Sequence, residues 1–152
     1  MSRRDAIQLT PEERQEFLAT AKTIVLSTID RHGYPHAVAM WYVMDGEDCL
    51  MTTYAKSQKA VNIERNPKVS LLVESGVTYD TLRGVLIRGT ARLEPGVETC
   101  LGVLTRVHVK MLGSQPPGLE EALRQQARKR IVIRVTPVRV SSWDHAKLGG
   151  AY

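Results

Sequence analysis

The residues best suited to chemistry lie together at positions 52–59: Thr52, Thr53, Tyr54, Ala55, Lys56, Ser57, Gln58 and Lys59. A β-rich stretch ends there in hydroxyl residues, and a helical pattern opens with a serine and a lysine. The free N–H groups and dipole of a helix start attract an anion. Thr52, Thr53 and Ser57 bring hydroxyl donors, and Lys59, with Lys56 nearby, brings full positive charge. This is the chemistry of a phosphate site. The same residues also fit an ordinary Ser cap followed by two solvated lysines, and the motif alone does not choose.

Other reactive residues are scattered. His32, His36, His108 and His145 show no metal-ligand spacing, so no metal is expected. Cys49 and Cys100 read as two buried thiols, because a lone disulfide is unusual in a reducing compartment. No nucleophile-elbow pattern suggests serine hydrolysis. Trp41 and Trp143 suit either stacking on a ring or packing.

The elements that must position residues 52–59 can be read from pattern. Thr10-Pro11-Glu12-Glu13 is a capping box that opens a short helix to about Ala21. Residues 23–29 are rich in β-branched residues and end at the turn Asp30-Arg31-His32-Gly33. Residues 37–44 are apolar at nearly every position, which predicts a central strand covered on both faces. With 49–54 this makes a meander of three antiparallel neighbours. Residues 57–66 form a helix stopped by Pro67, and 68–74 return as strand. Val85, Ile87, Gly89, Ala91 and Leu93 alternate with polar residues on the opposite face. Apolar residues recur at helical spacing over 97–112, and a Gly/Pro stretch at 113–118 separates these from a second helix at 119–129. The last strand spans 131–140 around Pro137, a residue suited to an edge or bulge. The tail, 141–152, has no period, and Gly149-Gly150 implies mobility unless something pins it.

A run of strands with helices inserted late predicts a mainly β fold, a six-stranded antiparallel barrel. With 152 residues, 43% hydrophobic and 24% charged, the chain suits one domain over 1–152. No apolar run reaches the roughly 20 residues needed to span a bilayer, and residues 1–7 are polar, so a cytoplasmic protein without membrane insertion is expected. A net charge of +5 points to an anionic partner. The basic residues are dispersed and aromatics are only 5%, which argues against nucleic acid.

The landmarks Val25-Leu26-Ser27-Thr28, Gly33-Tyr34-Pro35-His36, Thr52-Thr53 and Ser57-Gln58-Lys59-Ala60-Val61-Asn62, with the closing residues from Trp143 to Tyr152, run through nearly the whole chain. In order and spacing they resemble the split β-barrel superfamily of pyridoxamine phosphate oxidases, and more closely its branch that uses the deazaflavin coenzyme F420. The resemblance implies a homodimer with the cofactor at its interface. Thr52, Ser57 and Lys59 would hold the phosphate, with Thr53 among the cofactor-binding residues and Lys56 and Lys147 suited to an acidic cofactor tail. His36 and the backbone of Ala37, Val38, Ala39, Met40 and Trp41 would line the ring. Ser57 stands where many FMN oxidases have arginine, which weighs against pyridoxamine phosphate oxidation. The implied activity is hydride transfer between F420 and an organic acceptor, with no assigned catalytic side chain and a proton from solvent, His36 or Tyr42. FMN in the same place, or a carrier that binds F420 or flavin without turnover, are the alternatives.

Overall fold

The computed structural model describes residues 2–150. It is mainly β, with helices, as expected, but seven strands form one antiparallel sheet rather than six. In chain order these are β1 (Thr23–Ile29), β2 (Pro35–Trp41), β3 (Val43–Asp45), β4 (Asp48–Tyr54), β5 (Lys68–Ser75), β6 (Arg83–Glu94) and β7 (Arg130–Asp144). Their order across the sheet is β2-β1-β5-β6-β7-β4-β3.

That order corrects the expected central strand at 37–44. The run breaks at Tyr42 into β2 and β3, which occupy opposite edges of the sheet although one residue separates them in sequence. The sheet must therefore curl until its two edges meet at Tyr42. The Tyr42 side chain is fully buried, and its hydroxyl donates to the Leu18 carbonyl at 2.5 Å, fixing the closure to a helix. β2 is consequently an edge strand, and alternate residues along it are exposed. The expected three-strand meander is also corrected: β1 pairs with β2 and β3 with β4, but β4 takes β7 as its other neighbour.

The described residues also form five α-helices: α1 (Arg3–Ala6), α2 (Pro11–Thr20), α3 (Gln58–Arg65), α4 (Val97–Leu112) and α5 (Leu119–Ala127). The Thr10–Glu13 capping box opens α2 as read from sequence, with both reciprocal bonds made. Leu26, Met51, Leu71, Val85 and Ile133 fill the barrel. Outside it, Val43, Leu50 and Val132 pack against α4 and α5 through Leu101, Leu104, Val107 and Leu123. Cys49 belongs to the inner cluster and Cys100 to the outer one, and both are free and buried.

Pro137 sits at a bulge. Arg88 is paired with Arg139 and Gly89 with Pro137, leaving Val138 as the extra residue. The bulge reverses the alternation, so Val135 and Val140, five residues apart, both pack on the barrel core. A Cβ on Gly89 would fall 2.6 Å from the Val135 side chain and 2.8 Å from the Thr136 carbonyl oxygen, so only glycine fits there. With its phase reset, β7 continues past the expected end at Val140 to Asp144. The tail is tied down as well: residues His145–Leu148 form a 3-10 turn, and Lys147 bonds to the Gln8 carbonyl and to Glu13. Ala151 and Tyr152, included in the tail resemblance, lie outside the described residues. No helix among the described residues is long and apolar enough to cross a membrane.

Candidate functional site: a cationic corner where β4 meets α3

Ser57 caps α3. Its hydroxyl oxygen accepts from the Ala60 N–H at 3.3 Å and from the Thr53 hydroxyl at 3.0 Å. Both lone pairs are then occupied, which leaves the Ser57 O–H free to donate. The Gln58 and Lys59 N–H groups, in the first turn, have no intrahelical acceptor. α3 is fastened across the barrel by Asn62, which is fully buried and donates to Thr28 Oγ1 at 2.9 Å, and by Arg65, which donates to the Ile29 carbonyl at 2.8 Å. The helix start is thereby held rigidly beside the end of β4.

A second cation enters from β7. The register sets Arg130 opposite Tyr54. Its guanidinium lies 4.6 Å from the Tyr54 ring centroid and reaches the Thr52 carbonyl and hydroxyl oxygens at 3.4 Å each. Arg130 Nε is buried and has no partner. Burial and the nearby Arg130 charge hold the half-buried Lys59 ammonium below its usual pKa of 10.5. Among the described residues no carboxylate pairs with either cation. Two cations that destabilise each other, beside a free hydroxyl and open helical N–H groups, make a corner complementary to an anion.

Thr53 meets Ser57 at the start of α3, Thr52 meets Arg130 on the opposite face of β4, Lys59 is half-buried beside the Arg130 charge, and Lys56 is exposed on the preceding turn. His36 lies in register with Thr28, one step from Asn62 of α3, and its Nδ1 is buried without a partner. From His36, β2 leads away. Val38 and Met40 are half-buried, whereas Ala37, Ala39 and Trp41 are exposed on the other side. Trp41 meets His108 of α4 edge-on, with centroids 5.9 Å apart. Tyr42 is committed to closing the barrel through its bond to Leu18, and burial pushes its phenol well above its usual pKa.

Arg130 is not legible as a site residue in the sequence. It is 78 positions from Thr52 and reaches it only through the pairing of β4 with β7. The one available signal was a charged residue at the start of the last strand. A cavity of about 610 Å³ between α2 and the bulge, lined by Leu18, Met44, Ile87 and Val138, shares no residue with the corner. Among the described residues no three His, Cys, Asp or Glu side chains converge as a metal site.

These features define a curled β-barrel with a cationic corner. The chain belongs to the pyridoxamine 5'-phosphate oxidase family, whose profile matches residues 10–144. The fold of this family binds flavin-type cofactors, and its members are often oxidoreductases. A conserved hypothetical protein from Mycobacterium tuberculosis is 38% identical with a TM-score of 0.92, over 100% of this chain and 95% of the other. An F420 reductase is 26% identical with a TM-score of 0.69, over 87% of this chain and 98% of the other. The haem storage protein HutZ from Vibrio cholerae, 20% identical with a TM-score of 0.68 over 92% and 99%, shares the fold. No curated protein matches the sequence.

Proposed function

We propose that this chain is an oxidoreductase that binds coenzyme F420, with the cofactor's phosphate in the corner formed by Thr52, Thr53, Ser57, Lys59 and Arg130 and its ring along β2. The observation that carries the reading is the pair of unmatched cations, Lys59 and Arg130, beside the free Ser57 hydroxyl. Arg130 supplies from β7 the second cation that Ser57 does not. The orphaned Arg130 Nε and His36 Nδ1 fit a group that brings acceptors and donors to both ends of the site. Similarity to an F420 reductase favours the deazaflavin.

When bound, F420 supplies the carbon that gives or takes a hydride. The protein's work is to bind and orient. Lys59 and Arg130 hold the phosphate, Ser57 donates to it, and Asn62 keeps the helix start in place through Thr28. Ala37 and Ala39 let a flat ring approach the backbone of β2. His36 could hold a proton at Nδ1. The protein works as a homodimer in this reading. The outer faces of β1, β2 and β5 carry Ser27, Ala37, Ala39, Ser70 and Leu72, none of them under a helix of the same chain, and they suit a second copy.

FMN in the same corner is the second reading, favoured by the family match itself. Titration of the purified protein with F420 and, separately, FMN decides between them. Saturable F420 binding supports the proposal, binding of FMN alone moves the protein to the flavin reading, and binding of neither removes both. Steady-state oxidation of reduced F420 with candidate acceptors then separates an oxidoreductase from a carrier.

A further inference from the structure

Beyond the bulge, β7 pairs with β6 alone and carries a second concentration of positive charge. A cavity of about 550 Å³ opens there, lined by Arg4, Arg88, Arg139, Ser141, Trp143 and His145 among others, with no carboxylate in its wall. Arg88 and Arg139 are directly opposed in register. Like charges so placed on neighbouring strands destabilise a sheet. Among the described residues neither of these arginines, nor Arg4, has an ion pair or a side-chain hydrogen bond. The acids nearest in sequence are engaged elsewhere: Asp144 with Arg83, and Asp5 with the cap of α1. His145 uses one ring nitrogen, Nδ1, on the Tyr79 carbonyl at 2.8 Å. Trp143 is held against the backbone of Gly84, where a Cβ would fall 2.3 Å from the indole ring.

We infer that this cavity binds a small polyanion bearing carboxylate or phosphate groups, which neutralises the Arg88–Arg139 pair while Arg4 and Ser141 supply further donors and Trp143 forms a wall. An anion between two opposed guanidiniums converts their repulsion into two charge-assisted contacts. The site is separate from the corner at Lys59. It shares none of that corner's residues, and nine residues of β7, about 30 Å of extended strand, separate Arg139 from Arg130. It stands whether or not the F420 reading does.

The chain has two tryptophans, so Trp41→Phe leaves Trp143 as the sole reporter, and it sits in the cavity wall. This protein is titrated with citrate and, separately, pyrophosphate, each against sodium chloride at equal ionic strength. A saturable change in Trp143 emission is expected, weakened at least tenfold in Arg139→Gln and in Arg88→Gln and retained in Lys59→Ala. Response to citrate alone assigns carboxylates, response to pyrophosphate alone assigns phosphates, and response to both assigns a general polyanion site; each supports the inference. In low salt without ligand, either Gln variant should keep or raise Tm, which shows that its lost response is not unfolding. No response beyond the chloride control, or an undiminished one in both variants, overturns it.

Discussion

Arg130 and Arg134 lie four residues apart on β7, an even spacing that sets both on one face of the strand. Arg134 is saturated: its guanidinium meets Glu94 at 2.5 Å, Asp45 at 3.0 Å and Asp48 at 3.1 Å. Those contacts, Glu94 first, raise its pKa still further. Arg130 has a tyrosine ring and two weak oxygen contacts, an orphaned Nε and a neighbouring lysine. One arginine ties β7 to β4 and β6, and the other holds open a positive corner. The difference is in partners and not in residue type, so charge becomes informative about binding only where the fold leaves it unmatched.

The largest effect expected from disturbing this contrast is on stability. Arg134→Ala strands three carboxylates around a mostly covered site and should lower unfolding free energy by about 2–3 kcal/mol, with urea denaturation as the measurement. Arg130→Ala should leave stability almost unchanged and instead cost about 2 kcal/mol of F420 affinity, roughly thirtyfold, by loss of a charge-assisted contact in a partly buried site. Equal stability losses in the two variants would erase the distinction.

Lys59 sharpens the comparison through pH. Burial and Arg130 disfavour its ammonium in the free protein, and a bound anion restores it. Binding therefore takes up protons at alkaline pH, and affinity falls as pH rises through the lowered pKa. Lys59→Arg, which stays charged, should flatten that fall, as read by titrations across alkaline pH. Lys59→Ala should cost about 1.5 kcal/mol of affinity at neutral pH. The smallest effect is expected of Thr53→Val, which removes one of the bonds orienting Ser57 and should cost about 1 kcal/mol of affinity.

The helix starts were legible in the sequence because capping is local. Thr10 with Glu13, and Ser57 at α3, carry their signals within four residues. The alternation from Val85 to Leu93 was legible for the same reason and appears as β6. The break at Tyr42 was not. No Gly or Pro marks it, and it exists because the sheet must close and Leu18 offers a carbonyl. Pro137 pointed to an edge or a bulge without choosing, and the continuation of β7 to Asp144 depends on Gly89 of another strand. Half of the corner, Thr52 to Lys59, is contiguous and could be read. Arg130 could not, because strand pairing alone brings it to Thr52.

Unmatched cations, and not positive charge in general, are what would make this corner bind the cofactor. This is tested most directly by F420 titrations of the parent protein, Arg130→Ala and Arg134→Ala side by side, under conditions where all three are folded. At least a tenfold loss of affinity is expected in Arg130→Ala, with near-parental binding in Arg134→Ala. Equal losses in the two variants, or full binding by Arg130→Ala, would contradict this reading.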